Sequence, residues 1–335
     1  MNHSKTAGYF PVFAAIFGNA FVALIKMIIA LMSGSSVLLS ESIHSVADTL
    51  NQTFLLIGLK RSVKKPSNDF GYGYGQERFF WALISACGIF FIGAGATAYQ
   101  GVSALFHEKE IFLNWSIFLV LIISFVVEGW TFLVAARELK HSYPNMTYWK
   151  RMKVGDPTTL AVFFEDGVAV IGIIIAFISI ILTKYTGHHI YDALGSIVIG
   201  LLLGAVAIIL ILKNRSYLLG RSIPHDLEED IIELLEAEPA VEKVIDFKSS
   251  ILDIGVYRIK CEIEFNGYIL LKEIYRDQGL REQYDEIKDD FEDFKKFCVD
   301  FADRIPRLVG KKIDDIEKKL KAENPHVKYI DIEIN

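Results

Sequence analysis

A chain of 335 residues, 52% of them apolar and with a mean hydropathy of +0.34, is too hydrophobic for a soluble protein of this length. The net charge of −6 combines basic loops early in the chain with an acidic tail that has no basic, aromatic-interleaved stripe, which argues against nucleic-acid binding. Cys87, Cys261 and Cys298 are far apart and exclude both a disulfide framework and a CxxC-type zinc site.

A bilayer core about 30 Å thick needs roughly 20 mostly apolar residues per helix. Six segments qualify, near 9–31, 36–59, 79–105, 113–137, 158–183 and 190–213. The first has no cleavage-type small-residue site and is too long for a signal-peptide core, so it is expected to remain as a helix of the mature protein. Lys60, Arg61, Lys64 and Lys65 follow the second span, Arg137, Lys140, Lys150, Arg151 and Lys153 the fourth, and Lys213, Arg215 and Arg221 the sixth. The alternate loops contain only Lys109 and Lys184. Six spans with this bias predict an integral membrane protein with cytoplasmic N and C termini, which in a prokaryote means the cytoplasmic (inner) membrane. The expected division is a six-helix membrane domain at 1–213 and a cytoplasmic domain at 214–335.

In the tail, IPHDLEEDIIELLEAEP predicts a helix with Ile231, Ile232, Leu234 and Leu235 inward. VEKVIDFKSS and GVYRIKCEIEFNG read as adjacent strands, with Tyr257, Ile259, Cys261, Ile263 and Phe265 on one face. A long charged stretch follows with helical apolar spacing and an expected break near Pro306, and KYIDIEIN closes the chain as a strand. The order is that of a small α+β module close to the ferredoxin-like arrangement, with a helical insertion. The predicted fold is an α-helical membrane protein with six transmembrane helices plus this cytoplasmic ferredoxin-like domain.

His44 and Asp48 stand four residues apart inside the second span, in the stripe Glu41, His44, Asp48 and Asn51. Residues at i and i+4 share one helix face. An ionisable residue at membrane depth costs roughly 2.5–3.5 kcal/mol on insertion scales, which makes it a candidate for an ion path. The alternative is a hydrogen-bonded polar seam between packed helices. A cation would need more donors than one helix supplies, and the fifth span offers Glu165 and Asp166. Neighbouring residues diverge by about 100° on a helix, so Glu165 is favoured as ligand and Asp166 as its support or an alternate ligand. These acids could instead cap a broken helix or balance Lys26. Lys26 and Glu128 are expected to be supporting charges, and Asp192 to serve the start of the sixth span. Gly88, Gly93 and Gly95 in the third span and Gly167 and Gly172 in the fifth would allow close helix approach.

LLSESIHSVADTLNQ, FGYGYGQERFFWALISACGIFFIGAGA and FFEDGVAVIG resemble the cation diffusion facilitator family, most like the branch that includes the eukaryotic mitochondrial zinc transporter. The resemblance implies six helices, a cytoplasmic ferredoxin-like tail, a homodimer in membrane lipid, and exchange of a divalent metal ion, most often Zn2+, for protons. It implies metal on His44, Asp48 and Glu165, beside which Asp166 stands as the support or alternate ligand, with no resident cofactor.

The chain departs from the family pattern at Ala161, which stands where most members have a second histidine. A site with one imidazole and several carboxylates is harder, which brings Mn2+ and Fe2+ into consideration beside Zn2+. Phe70 and Gly71 replace a peripheral histidine, and Ile245, Lys260 and Asp331 stand where zinc-sensing tails have His, with Glu333 retained. Zinc in the tail is therefore not expected. His188 and His189 are expected to be solvated. Two rival readings are an intramembrane metal-dependent hydrolase, which lacks HExxH, and a non-transporting membrane scaffold.

Overall fold

The computed structural model describes residues 9–106, 115–142, 144, 147–154, 157–275 and 279–335. The loop at 107–110 with Lys109 lies outside the described residues. The chain divides into two compact units, 1–219 and 220–335.

The first unit is all helical: α1 (Tyr9–Ser33), α2 (Ser36–Ser62), α3 (Glu77–Gly88), α4 (Gly95–Phe106), α5 (Trp115–Ser142), α6 (Tyr148–Val154), α7 (Pro157–Thr186) and α8 (Ile190–Leu218). Among the described residues four stretches are long and apolar enough to cross a membrane, Glu77–Phe106, Ile117–His141, Thr159–Thr186 and Ile190–Leu218. The six expected segments all fall on helices. In the first, however, the stretch that counts as apolar is only Asn19–Ser33. The second carries Glu41, His44, Asp48, Lys60 and Arg61 in 27 residues, which lowers its hydropathy.

A π-helical segment, Ile89–Ala94, joins α3 to α4 without breaking the third span. The short α6 was not expected from the sequence. Val37 and Leu38, Ile89, Ile117 and Leu121, Ile173 and Ala176, and Ile199 and Leu203 share one buried cluster. The two tightest backbone approaches join α4 and α8. A β-carbon on Gly101 would lie 2.7 Å from the Ile197 nitrogen, and one on Gly200 would lie 2.8 Å from the Ala98 nitrogen. Both lie well inside van der Waals contact, so these sites require glycine.

The second unit contains α9 (His225–Glu236), β1 (Val241–Asp253), β2 (Val256–Phe265), α10 (Gly267–Ile274), α11 (Gly279–Ile287), α12 (Phe291–Glu323) and β3 (Val327–Ile334). The sheet order is β1-β2-β3. β1 and β2 pair antiparallel through a tight turn at Gly255, whose φ is +68°. β2 and β3 pair parallel, with Ile259 opposite Ile330 and Ile263 opposite Ile334. A parallel pair requires a long crossover, which α10, α11 and α12 supply. Ile231, Leu235, Ile259, Cys261, Ile263, Ile316 and Leu320 are buried; Ile232 and Leu234, expected inward, are half-buried.

The break expected near Pro306 does not occur. Pro306 lies inside α12, and both it and Ala302 one turn earlier are exposed. The carbonyl that proline leaves without a donor therefore faces solvent, and the helix continues.

Candidate metal centre

α2 begins at Ser35, whose hydroxyl accepts the Leu38 N–H, the expected arrangement for a serine N-cap. A second cap comes from α8. The Asp192 carboxylate accepts the Ser35 hydroxyl at 2.7 Å and the N–H groups of Ser36 and Val37 at 2.6 and 3.3 Å. Asp192 therefore serves the start of α2, not only of its own helix as expected. Ser196, one turn further on, donates to the Ser36 carbonyl.

Beyond that anchor, the spacing of Glu41, His44, Asp48 and Asn51 places all four on one face of α2, and all are buried. His44 Nδ1 lies 3.5 Å from Asp48 Oδ1. Neither that pair nor His44 Nε2 completes a hydrogen bond. Buried polar atoms are normally satisfied, so an imidazole and a carboxylate left bare side by side are suited to a cation.

Glu165 and Asp166 on α7 are also buried, and each keeps one oxygen without a partner, Glu165 Oε1 and Asp166 Oδ2. The Asn51 amide donates to Glu165 Oε2, and its carbonyl accepts the Ser85 hydroxyl from α3. Asp48 lies in the field of Glu165, Glu128 and Asp166. A small cavity is lined by Asn19, Val22, Ser45, Asp48, Val127, Glu128 and Asp166.

The structure thus puts the four predicted residues in one buried seam across α2 and α7 without closing them on a point. Among the described residues no group of three His, Cys, Asp or Glu side chains is gathered closely enough to hold a metal ion. Ala161, one turn before Glu165, is buried and supplies no donor.

Several supporting roles could not be read from spacing. Lys26 on α1 donates to Glu128 Oε1 at 2.8 Å and Ser45 Oγ at 2.9 Å and reaches Glu41 Oε2 at 3.4 Å. The two supporting charges expected from the sequence are thus partners. A β-carbon on Gly172 would run into Glu41 Oε1, whereas one on Gly88 would meet nothing within 4 Å. Of the glycines expected to permit close approach, Gly172 does so most clearly. His188 is exposed and His189 half-buried. In the tail, Lys260 and Asp331 are engaged in ion pairs with Glu333 and Arg258.

Residues 12–219 match the family model described as the cation efflux transmembrane domain. The chain belongs to the cation efflux family.

Within the cation efflux family the chain is 37% identical over 343 aligned residues to the mitochondrial proton-coupled zinc antiporter SLC30A9 of Homo sapiens, covering 99% of this chain and 60% of that protein. It is 36% identical over 340 residues to metal tolerance protein C4 of Arabidopsis thaliana, covering 99% of this chain and 73% of the relative. An uncharacterized transporter of Methanocaldococcus jannaschii is 26% identical over 79% of the chain. The chain spans about three fifths of the length of the human relative. Cation efflux proteins of this kind are integral to membranes and are named as transporters, not enzymes, so the hydrolase reading is set aside.

Proposed function

We propose that the chain is a divalent-metal efflux transporter that exchanges Zn2+ for protons, with the ion held between α2 and α7 by His44, Asp48, Glu165 and Asp166. The observation that carries this reading is the row of buried, unsatisfied donor atoms on these residues: both His44 nitrogens, Asp48 Oδ1, Glu165 Oε1 and Asp166 Oδ2. The human relative, named a proton-coupled zinc antiporter, supports the same reading. One imidazole among carboxylates also suits Mn2+ or Fe2+.

Metal ligands bind in deprotonated form, so loading an ion expels protons and reloading protons expels the ion. The seam opens to one side, takes M2+, then faces the other side and trades it for H+. Closing the donors on the ion draws α2 and α7 together.

In this reading α1, α2, the α3–α4 span, α5, α7 and α8 are six membrane spans with both termini cytoplasmic, which in a prokaryote places the chain in the inner membrane. The tail is a ferredoxin-like module with a helical insertion that pairs two chains into a homodimer and regulates transport. The test is flux in proteoliposomes. Zn2+-driven proton movement is expected in the intact protein and is expected to be lost in His44→Ala and Asp48→Ala at equal protein level; unchanged flux in both variants rejects the site.

A further inference from the structure

The Lys26 ammonium is fully buried, and oxygens from two other helices surround it: Glu128 Oε1 at 2.8 Å on α5, and Ser45 Oγ at 2.9 Å and Glu41 Oε2 at 3.4 Å on α2. None of these belongs to the four residues of the proposed metal centre. Ser45 nonetheless follows His44 directly and lines the same small cavity as Asp48, Glu128 and Asp166. Both acids keep a further buried oxygen unpartnered, Glu41 Oε1 and Glu128 Oε2. Two carboxylates and a hydroxyl around one positive charge, with a small cavity against Ser45 and Glu128, form the kind of oxygen donor set that hard divalent ions prefer.

We propose that Glu41, Ser45 and Glu128 form a second, oxygen-only divalent-cation site that the chain keeps filled with its own Lys26 ammonium. Lys26 is a tethered cation that the protein cannot release. The consequence for transport rests on the function proposed above. With this site closed, one divalent ion loads per chain, on the donor set that includes an imidazole, and ions that favour oxygen alone lose ground to Zn2+.

The test counts Mn2+ bound to the full-length chain in detergent by electron paramagnetic resonance, with Mn2+ as the only added metal. A His44→Ala/Asp48→Ala background removes the two α2 donors of the proposed metal centre, and no bound Mn2+ is expected while Lys26 is present. Adding Lys26→Met is expected to give one Mn2+ per chain, and Mn2+ should then raise the melting temperature. Adding Glu128→Gln as well, which restores the net charge of the cluster, should return the count to zero.

A folded Lys26→Met chain that binds no Mn2+, or whose melting ignores it, overturns the proposal. Recovery of Lys26→Met only when Mn2+ is supplied throughout purification supports it. Loss of that chain even then overturns it, because a filled site replaces the ammonium. The transport reading is judged separately: if His44→Ala/Asp48→Ala with Lys26 intact binds as much Zn2+ and Mn2+ as the unaltered chain, that reading fails. The gain of one Mn2+ on changing Lys26 remains measurable above that level.

Discussion

The carboxylate of Asp192, in the first turn of α8, accepts the backbone N–H of Ser36 at 2.6 Å, across 156 positions of sequence. The helix that carries His44 and Asp48 is therefore anchored at its start by a side chain from another helix. Asp192→Ala removes this acceptor from three donors, those of Ser35, Ser36 and Val37. A destabilisation of about 1–2 kcal/mol is expected, the scale of a lost N-cap, measured as chemical unfolding of the purified chain. Stability equal to that of the unaltered protein would show that Ser35 suffices.

Asn51 holds Glu165 on one side while Ser85 fixes the Asn51 amide. Residues that orient a ligand typically contribute about 10–100-fold in metal affinity. Asn51→Leu is expected to weaken Zn2+ binding by about tenfold at least, read by titration calorimetry. An unchanged affinity would remove Glu165 from the ligand set.

Gly172 and Gly88 make a paired prediction. Gly172→Ala places a methyl against Glu41 Oε1, the end of a rotatable side chain, and is expected to cost about 1 kcal/mol, the low end of overpacking. Gly88→Ala enters open space and is expected to be neutral or to stabilise by about 0.5–1 kcal/mol through helix propensity. Thermal unfolding of both variants decides it, and equal effects would contradict the packing of α2 on α7.

Burial raises the Cys261 thiol in the tail from its ordinary 9.0 to about 11. Above pH 9 the unfolded chain releases this proton while the folded chain keeps it, so the folded state binds more protons and loses stability as pH rises from about 9 towards 11. The fall is expected to be smaller in Cys261→Val, measured by denaturant unfolding at pH 8.5 and 10.5. Identical falls would place the thiol in contact with water.

Helix positions were legible because long apolar runs leave few alternatives, and the face of α2 was legible because the recurrence of Glu41, His44, Asp48 and Asn51 is itself helical. The alternation from Tyr257 to Phe265 marked β2 for the same reason. What spacing could not carry was partnership at long range. Nothing local to Asp192 indicates that it caps α2, and nothing local to Lys26 selects Glu128 over the other buried acids. Pro306 misled because proline is read as a helix breaker, whereas its effect here depends on the solvent exposure of a carbonyl one turn earlier. The π-helical segment at Ile89–Ala94 leaves no mark in apolar periodicity, since one wider turn shifts the pattern by a single residue.

Gly101 and Gly200 let α4 and α8 approach so closely that a β-carbon at either position would run into the backbone of the facing helix. Sliding one helix past the other would force the Ile197 and Ala98 backbones out of the notches the glycines provide. These two helices therefore form a strut, and any rocking that the proposed exchange requires falls to the elements around it.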